Sequence, residues 1–296
     1  MRERATSRGE RDLGLTLAGG GNRAFYQVGL LRRFHEEIEP RLAAVASCSA
    51  GACVAVLHFS GRADAAHEFW RHRRRHVTRN FDWRLLLRGE RPAPHAPVYR
   101  DTVEFAMRDG GLDRLRALPF PIWVVTSSLP RRLPVPLALS LGLAAYNLEK
   151  RIAPARVHPR LAARVGFRAA LFDARDCETP AEVADLVLAS SATPPFTPLG
   201  LHRGQRLLDG GLVDNVPAFA NEERSGVHRQ LVLLTRPYPE AALGLRGERL
   251  YLAPKRAVPI GRWDYTRPEL LARTIEQGEL EAAEHAPLLR ALLGRG

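Results

Sequence analysis

The apolar residues of this chain change repeatedly between the spacing of a strand and that of a helix. Leucines alternate with small or polar residues over 13–17, which predicts a strand. A helical spacing follows over about 23–37, and a compact apolar run over 42–48 predicts a second strand. The segment 50–59 is apolar on nearly every side, which predicts a helix buried in the core. The chain therefore begins as strand, helix, strand, helix.

The same alternation continues further along, although residues 62–118 and 130–165 show no clear period. Further strands are predicted over 122–126, 166–173, 205–208 and 231–235, and further helices over 180–190, capped by Thr179, and about 268–285. Strands that alternate with helices are typical of an α/β fold with a central, largely parallel sheet flanked by helices. Because no convincing linker is present, we predict a single domain over 12–290 after a disordered basic tail over 1–11.

The composition changes this picture mainly through charge. The chain has 296 residues, 45% of them hydrophobic, which is enough for one large core, and its formal net charge is +12. A basic surface favours anionic partners such as phospholipid headgroups, nucleic acid or acidic proteins, although a genome biased towards arginine would give the same excess. Because no zinc-finger spacing, RNP motif or basic heptad region is present, we predict no nucleic-acid partner.

Several features bear on where the protein works. No run of about 18 apolar residues occurs, so no membrane span is predicted, and the charged N-terminus lacks the apolar core of a secretory signal. The three cysteines form no Cys-x-x-Cys pair, which favours a reducing compartment and a cytoplasmic protein. The apolar stretch 134–146 is too short to span a bilayer. It predicts either a lid or shallow anchor on an anionic membrane, or a buried core helix.

Three motifs of small residues fall at the ends of predicted strands, where α/β sheets gather their functional sites. The first is Ser47-Cys48-Ser49-Ala50-Gly51. A serine at the centre of such a strand-to-helix turn is held clear of the backbone, and the residues two before and two after it must be small. Ser49 is therefore the candidate nucleophile. Cys48 is a rival whose side chain is expected to point into the fold, and a purely structural turn capped by a serine also fits.

The second motif is Gly19-Gly20-Gly21-Asn22-Arg23, which follows the first strand. Consecutive glycines expose backbone N–H groups, and such groups can stabilise a developing oxyanion. The run is also close to a dinucleotide-binding turn, with Ala24 at its sixth position. However, at the end of the second strand, where that turn needs an acidic residue, this chain has Ser49.

The third motif is Asp209-Gly210-Gly211, which ends a later strand. A serine hydroxyl is a poor nucleophile until a neighbouring base takes its proton, and the two glycines allow the Asp209 carboxylate to approach another loop. The same residues would also form a tight turn closed by an Asx hydrogen bond. His228 and His285, which a Ser…Asp…His order would need, lie in no motif and are expected at the surface. A Ser–Asp dyad is therefore the more economical assignment.

In their order along the chain, these motifs resemble those of the patatin-like phospholipases, a family of lipid acyl hydrolases. The resemblance is carried by LTLAGGGNRAFYQVGLL, SCSAGA, LASSATPPFTPL, LDGGLVDNVP and VPIGRWDYTRPELLARTIEQG, and covers roughly residues 13–285. It implies a three-layer α/β fold, a phospholipid or other acyl ester as substrate, and chemistry that needs no cofactor and no metal. It further implies Ser49 as nucleophile, Asp209 as base, the amides of Gly20, Gly21 and Asn22 as oxyanion donors, and support from Gly19, Arg23, Gly51, Gly210 and Gly211.

Two positions depart from the family pattern. Ser47 stands where the turn motif has its first glycine, and Ala24 where the loop motif has its last. The departures leave open a catalytically weak or inactive lipid- or protein-binding module on the same fold, and a dinucleotide-binding α/β enzyme is a third possibility. Ser190, Ser191 and Thr193 in LASSATPPFTPL are expected to be helix-end residues rather than catalysts. No oligomeric state is predicted.

Overall fold

The computed structural model describes residues 11–130, 133–153, 155–158 and 161–294, so the predicted N-terminal tail lies almost wholly outside the described residues. Its strands are β1 Leu13–Leu17, β2 Leu42–Cys48, β3 Ile122–Ser128, β4 Arg168–Asp173, β5 Gly200–His202, β6 Gln205–Asp209, β7 Gln230–Leu233, β8 Gly244–Arg246 and β9 Arg249–Leu252. They form one sheet in the order β5-β6-β3-β2-β1-β7-β9-β8, and β4 pairs with β3 as well.

The central part of this sheet is parallel. The neighbouring pairs from β3 through β2, β1 and β7 to β9 all run parallel, whereas β4, β5, β6 and β8 make antiparallel pairs at the two sides. The helices are α1 Phe25–Ile38, α2 Ala50–Phe59, α3 Ala63–Arg73, α4 His95–Met107, α5 Gly111–Arg116, α6 Val135–Ile152, α7 Leu161–Arg164, α8 Pro180–Ser190, α9 Phe219–Ser225 and α10 Glu269–Leu293.

Side chains of successive strand residues enter different cores on the two faces of the sheet. On β2, Val45 belongs to the large core that is shared with α1, α2, α4, α8 and α10. Its neighbours Ala46 and Cys48 pack on the opposite face, together with Ala220 of α9. Helices therefore cover both faces, which gives three layers. The predicted α/β fold with a largely parallel sheet flanked by helices is confirmed.

The predicted elements nearest the motifs agree closely with the structure. β1, β2 and α2 begin and end at the predicted residues, and Thr179 Oγ1 accepts a hydrogen bond from the backbone N of Glu182 at 3.1 Å, as expected for a helix cap. The polar stretch that showed no period contains α3, α4 and α5, and the last helix continues past Pro287 to Leu293. The short strands β5, β8 and β9 were not predicted. The single domain stays a prediction.

The apolar stretch 134–146 lies in α6, a helix at the surface. Within this stretch Ala138 and Ala145 are buried, whereas Leu137 and Leu141 are 48% and 37% exposed. The structure therefore excludes the buried core helix that the sequence left open for this stretch. Of the helices in the described ranges, none is both long enough and apolar enough to cross a bilayer.

Candidate active site

Strand β3 brings the ends of two other strands together. β4 follows one edge of β3 along its length, so the other edge must serve both β2 and β6. β2 pairs along the first half of that edge and ends with Cys48 opposite Val125, while β6 pairs along the second half and ends with Asp209 opposite Thr126. β2 is parallel to β3 and β6 is antiparallel to it, so their C-terminal ends meet. Ser49 and Asp209, 160 positions apart, thereby become neighbours.

Ser49 lies on a strained turn between β2 and α2. Its backbone has φ 51° and ψ −127°, a conformation that residues other than glycine rarely adopt. Ser49 Oγ donates a hydrogen bond to Oδ2 of Asp209 at 2.9 Å, and both residues are buried. Asp209 is the only partner of this hydroxyl among the residues that the structure describes. The two residues predicted as nucleophile and base are thus in direct contact.

Other contacts fix the orientation of both groups. The backbone N of Ser49 donates to Ser190 Oγ at 2.8 Å, and that hydroxyl in turn donates to the carbonyl of Val125 at 2.6 Å. Oδ1 of Asp209 accepts from the backbone N of Gly211 at 2.7 Å. This is the Asx turn that the sequence offered as an alternative to a base. The two roles are compatible, because one carboxylate oxygen closes the turn and the other faces Ser49.

Cys48 is poorly suited to act as the nucleophile. Its side chain is fully buried, and Sγ donates to the carbonyl of Asn215 at 3.3 Å. Burial raises the pKa of the thiol well above its usual range, and the negative charges of Asp209 and Asp214 raise it further. The attacking species would be the thiolate, which this environment disfavours. Cys48 therefore supports the turn, as its position in the sequence suggested.

The glycine loop packs directly against the strained turn. A Cβ added to Gly19 would lie 3.1 Å from Cβ of Ser49, and one added to Gly20 would lie 2.2 Å from Oγ1 of Thr235. The carbonyl of Gly19 accepts hydrogen bonds from Asn215 Nδ2 and from Thr235 Oγ1, both at 2.9 Å. These contacts hold the loop in place beside the hydroxyl, and at Gly19 and Gly20 they leave no space for a larger residue.

Two of the three predicted oxyanion donors have unused amides. Gly20 and Gly21 donate no backbone hydrogen bond to any residue within the described ranges. Gly21 also has φ 58°, in the left-handed region that glycine adopts at little cost. The amide of Asn22 instead donates to the carbonyl of Arg262 at 3.0 Å. The expectation that Asn22 is a donor therefore does not fit this structure, because its N–H is already bonded.

The other predicted support residues lie around the same turn. A Cβ on Gly51 would be 2.3 Å from the carbonyl oxygen of Leu17, so α2 can begin this close to β1 only with glycine there. A Cβ on Gly210 would be 2.2 Å from the carbonyl oxygen of Val125. Arg23 holds the glycine loop, since its Nε donates to the carbonyl of Gly20 at 3.3 Å.

The two histidines of the alternative triad lie elsewhere. His228 is exposed, as predicted. His285 was also predicted at the surface, but it is only 8% exposed, and its Nε2 lies 3.3 Å from the hydroxyl of Tyr26. That prediction was wrong because α10 packs along α1 and buries the histidine between them. Neither histidine contacts Ser49, so neither of them forms a Ser–His–Asp arrangement with the dyad in the described part of the chain.

Two cavities border the motif residues and differ in the side chains that line them. The first has a volume of about 300 Å³ and is lined mostly by apolar residues: Leu139, Ala192, Thr193, Pro194, Phe196, Leu208, Asp209, Gly211, Leu212, Arg262 and Trp263. The second borders Gly19 and Gly20 of the glycine loop, and its lining includes Arg23, Arg156, Arg236 and Arg262 together with Glu149. Arg262 belongs to both linings. The apolar cavity therefore adjoins the dyad at Asp209, and the basic cavity adjoins the glycine loop that packs on Ser49.

Several residues of this site were not found from the sequence. Ser190 was expected only as a helix-end residue, which it is, but its side chain also holds the turn at Ser49. Asn215 and Thr235 hold the glycine loop from two other segments. Asn215 lies inside the quoted motif LDGGLVDNVP, which was a usable signal for it. Thr235 follows a short strand without any motif.

Comparison with known proteins identifies the family. A family model described as patatin-like phospholipase matches residues 15–220, well over half of the chain. The chain belongs to the patatin-like phospholipase family. This membership confirms the resemblance seen in the sequence and supports a lipid acyl hydrolase in general terms. The crystal structure of VipD from Legionella pneumophila is similar over 95% of this chain and 67% of VipD, with 13% sequence identity and a TM-score of 0.48. No curated protein sequence matches the chain.

Proposed function

We propose that this patatin-like phospholipase cleaves fatty acyl esters, as a phospholipase A or carboxylesterase, with Ser49 as nucleophile and Asp209 as general base. Family membership supports the hydrolase class. The proposal of the dyad rests on one observation, the 2.9 Å hydrogen bond from Ser49 Oγ to Oδ2 of Asp209. A hydroxyl that already donates to a carboxylate can transfer its proton as it attacks, which is what activates a serine.

The reaction has two steps. Oδ2 of Asp209 takes the Ser49 proton while Oγ forms a bond to the ester carbonyl carbon. The ester C–O bond then breaks, and the leaving alcohol or lysolipid takes the proton. In the second step a water molecule gives a proton to Asp209 and attacks the acyl-enzyme carbonyl carbon. The bond from that carbon to Ser49 Oγ then breaks, Asp209 returns the proton to Oγ, and the fatty acid is released. No redox partner or metal is needed for the electron and proton balance.

The amides of Gly20 and Gly21 are the proposed oxyanion donors. The loop that carries them packs against Ser49 at Gly19, and neither amide has a partner among the described residues. Two N–H groups held in place before the reaction stabilise a developing oxyanion because they need no reorganisation. Loss of one donor of this kind typically lowers kcat by about 100-fold.

The two cavities suggest how a lipid ester is bound. The apolar cavity of about 300 Å³ beside Asp209 suits an acyl chain, and the basic cavity beside the glycine loop suits an anionic headgroup. Guanidinium groups bind phosphate oxygens well because they present several donors in one plane. An ester placed at Ser49 between the two cavities would then have its chain on one side and its phosphate on the other.

Peripheral contact with an anionic membrane forms part of the proposal. Exposed apolar residues lie on two segments: Leu137, Leu141, Leu148 and Ile152 on α6, and Trp83, Leu86 and Leu87 on a 3-10 turn. Trp83 packs on Phe196, and Phe196 and Leu139 of α6 both line the cavity. Exposed arginines alternate with these residues, at positions 84, 88 and 151. Apolar side chains among cations suit an anionic bilayer surface.

A cytoplasmic location also stays within the proposal. Cys48, Cys53 and Cys177 are all buried and none forms a disulfide, which fits a reducing compartment.

Hydrolysis of a fluorogenic acyl ester by matched variants tests the dyad. We expect Ser49→Ala and Asp209→Asn to lower kcat by about 1,000-fold or more, since each removes a group that the reaction requires. Ser128→Ala and Asp113→Asn, outside the site, should match the wild type. A fluorophosphonate probe should label the wild type and should not label Ser49→Ala. Melting temperatures of all four variants show whether each is folded.

The same variants, together with vesicle binding and melting in the presence of a dinucleotide, separate the alternatives. A folded wild type that is neither labelled nor active, while still binding lipid vesicles, would indicate the non-catalytic module. Activity that persists in both dyad variants would exclude the proposed mechanism. Thermal stabilisation by a dinucleotide without probe labelling would favour the nucleotide-binding enzyme.

A further inference from the structure

Three side chains with metal-binding chemistry converge at the start of α8, away from the proposed dyad. Cys177 lies just before the helix, Glu182 lies in its first turn, and His202 ends β5. The Sγ atom of Cys177, a carboxylate oxygen of Glu182 and a ring nitrogen of His202 all lie within 4.8 Å of one another. This is the one such group found among the residues that the structure describes. His202 lies 20 positions after Glu182 along the chain, so the fold rather than the local sequence brings it to the other two residues.

A second observation at this cluster concerns His202. The residue is only 3% exposed, and its Nδ1 atom is fully enclosed without a hydrogen-bond partner in the described part of the chain. Its ring makes an edge contact with Phe172, with the ring centroids 4.8 Å apart. Enclosed polar atoms without a partner are uncommon because they lose their hydrogen bonds to water. A metal ion bound through Nδ1 would supply the missing partner.

We propose that Cys177, Glu182 and His202 bind a Zn²⁺ ion. Thiolate, imidazole and carboxylate are the ligand types that zinc prefers, and three protein ligands leave one position for water. In a tetrahedral site the donor atoms lie about 3.5 Å apart, so side chains whose donor atoms are separated by the upper limit of 4.8 Å would close in by roughly 1.3 Å. As the bond from Sγ to the metal forms, the Cys177 thiol releases its proton to solvent.

The residues around the cluster suit this role. Glu182 accepts from Arg203 Nε at 2.9 Å through Oε1 and from the backbone N of Glu178 at 2.8 Å through Oε2. Carboxylates that bind metals are commonly held by further hydrogen bonds of this kind, which fix their orientation. Arg203 and Gly204 form the turn between β5 and β6, so the same turn that presents His202 also orients Glu182.

The proposed ion would join α8 to the β5–β6 hairpin. Both elements end at the dyad: α8 ends with Ser190, which holds the turn at Ser49, and β6 ends with Asp209. The cluster lies at the opposite end of α8, and a helix of 11 residues is about 16 Å long. The ion therefore acts on stability and not on the ester chemistry.

Cobalt and zinc titrations of the whole protein test the site. The protein is first stripped with a chelator, and Co²⁺ is then added, because a thiolate bound to Co²⁺ gives a charge-transfer absorption in the near ultraviolet. We expect that absorption at one equivalent of Co²⁺ and its loss when Zn²⁺ displaces the cobalt. We also expect excess Zn²⁺ to raise the Tm of the stripped protein by about 5 °C, since a ligand that binds only the folded state stabilises it.

Matched variants assign the ligands. Cys177→Ala and His202→Gln should lose the zinc-dependent rise in Tm, and Cys177→Ala should also lose the cobalt absorption. His67→Gln and Cys53→Ala should keep both signals: His67 likewise has an enclosed Nδ1 without a partner among the described residues, and Cys53 is also buried, but neither belongs to the cluster. The proposal is overturned if stripped wild type shows no cobalt–thiolate absorption, or if zinc raises the Tm of His202→Gln as much as that of the wild type. Should Cys177→Ala fail to fold, the wild-type cobalt spectrum still decides.

Discussion

At the scale of single residues, the position of Ser49 depends on one neighbouring hydroxyl. Ser190 Oγ accepts from the backbone N of Ser49 and donates to the carbonyl of Val125 on β3, and it is fully buried. It therefore links the turn that carries the nucleophile to the strand that aligns β2 and β6. Ser190 is a positioning residue, because it touches the backbone of Ser49 and not the reacting oxygen.

We expect Ser190→Ala to lower kcat by about tenfold with little change in KM. The change leaves the N–H of Ser49 and the carbonyl of Val125 without their partner, which should also lower the free energy of unfolding by about 1–3 kcal/mol. Ser191→Ala is the control, since Ser191 Oγ is equally buried but bonds to His95 and Val187. Steady-state kinetics with urea unfolding separate the effects. Equal loss of kcat in both variants would contradict a positioning role for Ser190.

Ser47 tests whether the departure from the family turn weakens the enzyme. Its side chain is fully buried, and Oγ donates to the carbonyl of Trp123 at 3.3 Å, so the hydroxyl is accommodated. We expect Ser47→Gly to keep kcat within about threefold, and to lose roughly 1 kcal/mol of stability because glycine is less favourable in a strand. A large rise in kcat would mean that Ser47 disables the wild type, which is what a weak or inactive module requires.

At the scale of elements, the approach of α2 to β1 shapes the site. The first turn of α2 lies so close to β1 that a Cβ on Gly51 would meet the carbonyl oxygen of Leu17 at 2.3 Å. The atoms that this Cβ would meet belong to the backbone, so no flexible side chain can move aside. We expect Gly51→Ala to cost about 3 kcal/mol of stability and to abolish activity by shifting Ser49. Gly261→Ala, where the nearest atom would be 3.6 Å away, should be neutral within about 0.5 kcal/mol in the same unfolding assay.

The exposed side of α6 should govern binding to membranes. We expect the double variant Leu148→Ser, Ile152→Ser to bind anionic vesicles about tenfold more weakly, because each side chain would bury apolar area in the bilayer surface. Leu280→Ser on α10 removes a leucine that is 64% exposed and serves as control. Co-sedimentation with phosphatidylglycerol and phosphatidylcholine vesicles measures the effect. Equal binding to both lipids, or no loss in the double variant, would argue against this surface.

The elements predicted from the sequence are those whose own residues specify them. The bounds of β2 and α2 were predicted to the residue because a turn of small residues separates two apolar runs. β5, β8 and β9 are short, and each pairs within a hairpin that no local period indicates; β9 also pairs with β7. In the site, Ser49 and Asp209 stand in motifs. Ser190 and Thr235 act through contacts with distant segments, and no local pattern indicates such contacts.

At the scale of the whole molecule, the core contains histidines that folding keeps neutral. Burial lowers the pKa of His58 and of His95 to about 3, and that of His67 to about 4. His58 also faces His35, with a nitrogen-to-nitrogen distance of 3.0 Å, and the charge of Arg262 lowers the pKa of His95 further. In the unfolded chain each of these groups has a pKa of about 6.5.

These shifts predict that the protein loses stability as pH falls below about 6.5. Because the folded pKa values lie below the unfolded value, the unfolded chain binds more protons from pH 6.5 down to 4, so acid favours unfolding. Each histidine contributes at most about 1.4 kcal/mol per pH unit. The Asp12 carboxylate, whose pKa Arg41 lowers from 3.8 by hydrogen bonding, adds its effect only at lower pH. The window from pH 6.5 to 5 therefore reports mainly on histidines.

Urea unfolding at several pH values from 7.5 to 5 checks this dependence. We expect the free energy of unfolding to be flat above pH 7 and to fall below 6.5, with a shallower slope in His58→Gln and an unchanged slope in His72→Gln, whose side chain is exposed. Hydrolysis should also decline in acid, because a protonated Asp209 cannot accept the Ser49 proton. Protonation of the dyad explains that decline if His58→Gln shows it too, at pH values where the variant is still folded. If the decline in hydrolysis instead shifts in pH together with the unfolding curve, the loss of activity in acid results from unfolding caused by the buried histidines.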